Sequence, residues 1–153
     1  MSEEITVLVS GGFDPAHIGH IRMILEAATV GNVIVVANSD DWLMRKKGYI
    51  FMPFEERAEI ISELTCVDKV VMAKDDDRTV CESLRELQPD IFANGGDRGA
   101  NTTPESRLCK ELGIELMYDV GGGKVRSSSK LVKEITEKKR KKDLARFRSQ
   151  MAL

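Results

Sequence analysis

Short apolar runs alternate along the chain with longer stretches in which apolar residues return every three or four positions. The runs at residues 5–9, 33–37, 69–72, 90–93 and 115–118 are rich in β-branched side chains and predict strands. Each reads as continuously apolar rather than alternating, so both faces of each strand are expected to be covered. That is the condition of a parallel sheet with helices on both sides. Helical periodicity fills the gaps, over residues 18–29 up to Gly31, 53–64, 79–87 before Pro89, and 104–112 up to Gly113. Proline near a start and glycine just past an end fit these boundaries. A last helix begins near residues 127–129 and carries Leu131, Val132 and Ile135 into a charged stretch. The pattern predicts an α/β chain with a Rossmann-like, doubly wound parallel sheet of five strands.

A length of 153 residues suits one hydrophobic core, taken as a single domain over residues 1–135 with a basic helical tail over 136–153. An apolar fraction of 42% excludes disorder of the chain as a whole. The formal net charge of −2 argues against bulk attraction to nucleic acid or anionic lipid, yet it hides an asymmetry. From Lys133 to Leu153 there are eight basic residues and three acidic ones. A solvated helix, or one packed on a partner subunit, is preferred there over a nucleic-acid or membrane contact. The N-terminal residues lack the basic-then-apolar order of a secretion signal, and no run approaches the roughly 20 apolar residues of a membrane span. A cytoplasmic protein is expected. Cys66, Cys81 and Cys109 lack the spacing of a zinc site or redox pair and are expected to be reduced, mostly buried thiols.

The chemistry concentrates in Gly11-Gly12-Phe13-Asp14-Pro15-Ala16-His17-Ile18-Gly19-His20, where the first strand gives way to the first helix. In a doubly wound sheet that position is the ligand crevice. Two glycines permit close approach of a phosphate, and a helix start offers N–H groups and the positive end of a dipole. His17 and His20, the only histidines, are three residues apart and so share one side of the helix, with Gly19 leaving room beside them. Such imidazoles can donate to phosphate oxygens as charge builds during phosphoryl transfer.

This segment resembles the opening signature of the HxGH nucleotidyltransferase superfamily, and within it the cytidylyltransferase-like branch. The likeness continues through Ala37-Asn38-Ser39-Asp40, Glu55-Glu56-Arg57, Val67-Asp68-Lys69-Val70 and Asn94-Gly95-Gly96-Asp97, and ends at Arg126-Ser127-Ser128-Ser129-Lys130-Leu131. Lys47-Gly48 and Gly95-Gly96-Asp97 resemble most the modules that make ADP-heptose, with glycerol-3-phosphate cytidylyltransferases and archaeal FAD synthetases next. The resemblance implies nucleotide contacts from Gly11, Gly12, Phe13, Asp14, His17, His20, Gly96, Asp97, Ser127, Ser128 and Ser129, with Asp97 at the ribose hydroxyls. It implies catalytic roles for His17, His20, Lys47 and Arg126, and an acceptor site from Asp40, Lys46, Lys47 and Arg57. Arg126 abuts the serines directly, unlike the longer arginine-containing signature of glycerol-phosphate enzymes, and the choice between CTP and ATP stays open.

The implied reaction is attack by an acceptor phosphate oxygen on the α-phosphorus of a nucleoside triphosphate, with pyrophosphate leaving. An anionic acceptor needs no strong base, so positioning and charge neutralisation carry catalysis. Magnesium is expected through the triphosphate and water, with no protein metal cage. A sugar or polyol phosphate is the first acceptor, with a phosphonate equivalent at the attacking oxygen. FAD synthesis and pantetheine-phosphate adenylylation follow. A homodimer is expected from the resemblance. Outside enzymes, a nucleotide sensor and a nucleic-acid-binding module are the rivals. Asp41 beside Asp40 is a further acceptor-side candidate, with a turn residue as the alternative for both acids, and Trp42 is a candidate for the acceptor pocket or for packing between subunits. Asp75-Asp76-Asp77 reads as a solvated loop in preference to a cation site, and Gly121-Gly122-Gly123 as mobility or close backbone approach.

Overall fold

The computed structural model describes residues 4–74, 77, 79–94, 103–118, 120–122 and 127–152. Among them the strands β1 (Thr6–Gly11), β2 (Asn32–Ala37), β3 (Val67–Met72), β4 (Ile91–Ala93) and β5 (Glu115–Met117) form one parallel sheet in the order β3-β2-β1-β4-β5. The helices are α1 (Ile18–Ala28), α2 (Asp40–Lys47), α3 (Phe54–Ser62), α4 (Cys81–Leu87), α5 (Pro104–Leu112) and α6 (Ser128–Met151). The expected class and strand count hold, and the strand order reverses direction at β1.

The three layers follow from side-chain alternation on the inner strands. Val7 and Val9 of β1 and Val33 and Val35 of β2 share one core with Ile24 and Ala27 of α1 and Ile61 of α3. Leu8 and Val36 point the other way and pack with Leu84 of α4 and with Leu108 and Cys109 of α5. Burial of each such valine, leucine or isoleucine side chain contributes roughly 1.5–3 kcal/mol before entropy is counted. β1 pairs residue for residue from Thr6↔Asn32 to Gly11↔Ala37, which brings the ends of β1 and β2 level beneath the connecting loops.

Continuous burial holds for the central strands and not for the edges. β3 exposes Asp68, Lys69 and Met72, and the charges on this edge discourage further strand pairing. Cys81 and Cys109 are buried, Cys66 is half-buried, and none of the three is in a disulfide. α2 was not foreseen, because acids that follow a strand are commonly turn residues. Ser39 caps the helix by accepting from the Trp42 N–H at 3.1 Å. Asp40 and Asp41 then meet the positive end of its dipole, and Arg45, Lys46 and Lys47 meet the negative end. α6 runs unbroken past residue 135 with no buried residue. No helix among the described residues is long and apolar enough to cross a membrane.

Candidate functional site

A cavity of about 460 Å³ opens at the carboxyl ends of β1 and β2. Its centre is the β1–α1 loop with His17 and His20. One end is formed by Asn38, Trp42, Leu43, Lys46 and Lys47, and the other by Met23, Val120, Gly121 and Gly122. Ser127, Ser128 and Ser129 at the start of α6 complete the wall.

The β1–α1 loop is held from below. Phe13 takes a left-handed backbone conformation, with φ of 54°, in which a bulky residue is strained. Its ring is buried against Gly11 and lies 4.7 Å, centroid to centroid, from the His20 imidazole. Phe13 therefore supports a histidine from beneath. Asp14 is also buried, and its carboxylate accepts from the backbone N–H groups of Phe51 and Met52 at 2.8 and 2.6 Å. It fastens the α2–α3 connection to the loop, a use that the nucleotide-binding expectation did not foresee. The Lys47 ammonium donates to the Asp14 carbonyl at 3.0 Å and lies 3.6 Å from its carboxylate. Lys47 is thereby anchored on the cavity wall, while Lys46 lies over the Trp42 ring at 4.8 Å.

The two histidines build their own frame. The Gly19 N–H donates to His17 Nδ1 and the His17 N–H donates to His20 Nδ1, both at 3.1 Å, forming a capping box made of imidazoles. Each Nδ1 is an acceptor, so each neutral ring carries its proton on Nε2. The rings stack at 3.7 Å, and a side chain at position 19 would begin 3.0 Å from the His17 ring, which is why glycine stands between them. Burial above all, then the neighbouring His17 and the Lys47 ammonium, push the His20 pKa from 6.5 down to about 3. His20 is therefore a neutral Nε2–H donor at physiological pH. The N–H groups of His17 and Gly19 at this helix start are engaged by the imidazoles, whose own donors are the Nε2–H groups.

Arg57 was expected at the acceptor, and the geometry places it beneath the site instead. The residue is only 1% exposed. Its guanidinium donates to the carbonyls of Met52, Gly12 and Asn38 at 2.7–2.9 Å and to Asp40 Oδ1 at 2.7 Å. Asp40 Oδ1 also accepts from the Phe54 N–H at 2.9 Å. Neither residue belongs to the cavity wall. Together they tie the β1 and β2 loops to α3.

Ser127 is the N-cap of α6 without a side-chain cap bond, whereas the Ser128 hydroxyl donates to the Pro15 carbonyl at 2.7 Å. That bond brings the α6 start to the β1–α1 loop across 113 residues. Gly121 abuts α1 so closely that a Cβ there would lie 2.8 Å from the Met23 backbone nitrogen. Close approach, one of the two uses foreseen for the glycine run, holds at this position. Gly95, Gly96, Asp97, Gly123 and Arg126 lie outside the described residues, as do Asp75 and Asp76. Met23, Leu43 and Val120 on the wall were not foreseen, since an apolar wall residue has the same sequence signature as a core residue.

The family model described as cytidylyltransferase-like matches residues 8–133. The bifunctional protein HldE of Syntrophotalea carbinolica is 33% identical over 86% of this chain and 27% of its own length. This chain thus spans about a quarter of the bifunctional relatives it matches. The D-beta-D-heptose 1-phosphate adenylyltransferase of Bordetella bronchiseptica is 35% identical over 70% of this chain and 67% of its own. The FAD synthase of Pyrococcus abyssi is 29% identical over 89% of this chain and 95% of its own. The chain belongs to the cytidylyltransferase-like family.

Proposed function

We propose that this member of the cytidylyltransferase-like family transfers a nucleoside monophosphate from CTP or ATP to the phosphate of a small acceptor, releasing pyrophosphate. The observation that carries this is the convergence of the two imidazole Nε2–H donors, the Lys47 ammonium and the α6 start on one cavity. A triphosphate lying between the α1 and α6 starts would meet His17, His20 and the three serines. As the α-phosphorus becomes five-coordinate, donors aimed at its oxygens strengthen, which is the differential stabilisation that catalysis needs. Lys47, and Lys46 beside it, would offset the charge of donor and acceptor phosphates. An acceptor phosphate needs no base, consistent with a wall built from donors. Asp97 at the ribose and Arg126 at the phosphates complete the proposed site.

The one carboxylate on the described wall, Asp14, is engaged by two backbone N–H groups and faces Lys47. That donor set fits magnesium carried by the triphosphate rather than by the protein. When bound there, magnesium would neutralise charge on the leaving pyrophosphate.

The name of the heptose 1-phosphate relative favours a sugar or polyol phosphate as acceptor, with a phosphonate chemically equivalent at the attacking oxygen. Trp42 at the far end of the cavity supports this, offering a flat apolar face beside two lysines. The near-complete coverage of the FAD synthase relative favours FMN as a second acceptor class. The same proposal places the reaction in the cytoplasm and the chain in a homodimer.

The test is pyrophosphate release with magnesium, each ribonucleoside triphosphate in turn, and a panel of sugar, polyol and alkyl phosphates, phosphonates and FMN. Release requiring one triphosphate and one acceptor, and lost in a His17→Ala, His20→Ala double variant, is the expected result. Tight triphosphate binding with no release from any pair would favour a nucleotide sensor instead.

A further inference from the structure

α6 is 24 residues long and buries none of them, although isolated helices hold weakly in water. Its middle makes matters worse. Lys138 through Lys142 are five consecutive basic residues, so like charges sit three and four positions apart. Beyond them, Leu144, Phe147 and Met151 recur at helical spacing, 47%, 58% and 71% exposed. Arg140, Lys141 and Arg148 fall on the same face by the same spacing. The distal half of α6 therefore presents an apolar stripe flanked by cations.

The body of the chain carries the complementary surface. Removing the tail's balance of eight bases to three acids from the whole chain's 23 to 25 leaves 15 to 22, so residues 1–132 have a formal charge of −7. α3 shows where some of it lies. Arg57 and Ile61 face inward, whereas Glu55, Glu56, Glu59 and Glu63 are exposed around Ile60, itself 47% exposed. None of these four carboxylates, and none of the α6 cations, is in an ion pair among the described residues. Residues 138–151 extend about 20 Å as a helix, enough to cover the roughly 13 Å of α3.

We propose that the distal half of α6 from one copy of this chain docks along the outer face of α3 of a second copy, reciprocally. Leu144 and Phe147 then cover Ile60, and Arg140, Lys141 and Arg148 meet the four glutamates. A two-fold arrangement makes each copy both donor and receiver of a tail, so both contacts form together. Opposed charge speeds the encounter and fixes the register, while the apolar stripe supplies the burial. This gives the proposed homodimer a specific surface and stands apart from the transfer reaction, because its readout is mass rather than turnover.

The test is light scattering coupled to size exclusion on the full chain, with two surface variants checked for folding by circular dichroism. One is Glu56→Lys, Glu59→Lys, Glu63→Lys; the other is Arg140→Glu, Lys141→Glu, Arg148→Glu. The wild-type chain is expected to run as a dimer that weakens at least about tenfold between roughly 0.05 and 0.5 M salt. Each variant alone is expected as a monomer. Mixed one to one they are expected to form a heterodimer, since each wild-type tail then meets a wild-type α3 and each reversed tail a reversed one. A monomeric wild type, a dimer indifferent to both reversals, or a mixture that stays monomeric overturns the proposal. Loss of binding to a single-stranded RNA probe in the α6 variant, with mass unchanged, would assign the basic face to nucleic acid instead.

Discussion

Two helices begin on the same cavity and treat their first turn in opposite ways. At α1 the backbone N–H groups of His17 and Gly19 are taken by the imidazoles, so the terminus closes on itself and presents two Nε2–H groups. At α6 the cap residue Ser127 makes no side-chain bond to the first turn. One start offers side-chain donors of fixed tautomer, and the other offers backbone groups and the Ser127 hydroxyl, with the Ser128 hydroxyl tied to the Pro15 carbonyl. The contrast suggests a division of labour in the proposed reaction. The rigid start would serve the reacting phosphorus, where geometry decides the rate, and the open start the outgoing phosphates, where charge and hydrogen bonds suffice.

The sharpest way to break this contrast is at α1. Replacing His20 with Ala is expected to lower kcat by about a hundred- to a thousandfold, the range for loss of one preorganised donor to a developing oxyanion. His17→Asn separates the two duties of the cap, because an amide oxygen can still accept from the Gly19 N–H without reproducing the imidazole donor. It should keep the wild-type melting temperature and lose rate nearly as His17→Ala does. Equal loss of rate from alanine at a serine of α6 would remove the division of labour.

The α1 side is also the one braced from behind. Arg57→Leu would leave Asp40 without its partner and three loop carbonyls without their guanidinium donor. A loss of about 3 kcal/mol is expected, read by urea unfolding, with a fall in melting temperature on the order of 10 °C. A loss under about 1 kcal/mol would mean that the loop stands without this brace.

Acid distinguishes the two starts more gently. With a folded pKa near 3 and an ordinary value of 6.5, His20 takes up a proton in the unfolded chain before it does in the folded one. Stability from this group is therefore present above pH 6.5 and lost as pH falls toward 3. The slope is at most about 1.4 kcal/mol per pH unit and is reduced by residual solvent access. Unfolding at pH 7 and pH 5 should show the wild type losing more stability than His20→Asn. Equal losses would mean that His20 titrates normally.

Most of the fold was legible because central strands of a parallel sheet must be apolar on both faces, and the runs of β1, β2 and β4 say so directly. β3 and α2 show where that reasoning stops. An edge strand tolerates Asp68 and Lys69, and the acids opening α2 look like a turn unless Ser39 before them and Arg45, Lys46 and Lys47 after them are read together as cap and dipole partners. At the site, the spacing of His17, Gly19 and His20 foretold a shared face. Nothing in the sequence foretold that the rings would cap their own helix, since that depends on side-chain rotamers, among them that of His20 against the Phe13 ring. Arg57 misled for a related reason. Arginine in a phosphate-binding pattern suggests a ligand contact, and only its burial beneath Gly12 and Asn38 shows that its donors belong to the backbone and to Asp40.

The smallest effect tests the open start itself. A cap that makes no bond loses nothing when it is removed, so Ser127→Ala should change stability by less than about 0.5 kcal/mol. Thr103 at α5 supplies the internal control, since its hydroxyl accepts from the Ser106 N–H at 3.2 Å and its loss should cost about 1 kcal/mol. With triphosphate present the order should change. Ser127→Ala is expected to raise the triphosphate dissociation constant a few-fold, about 1 kcal/mol for one neutral hydrogen bond, whereas Thr103→Ala should leave it alone. Calorimetric titration of both variants reads the difference. A cap-sized loss of stability in Ser127→Ala without nucleotide, or unchanged affinity with it, would mean that the start of α6 is closed like that of α1.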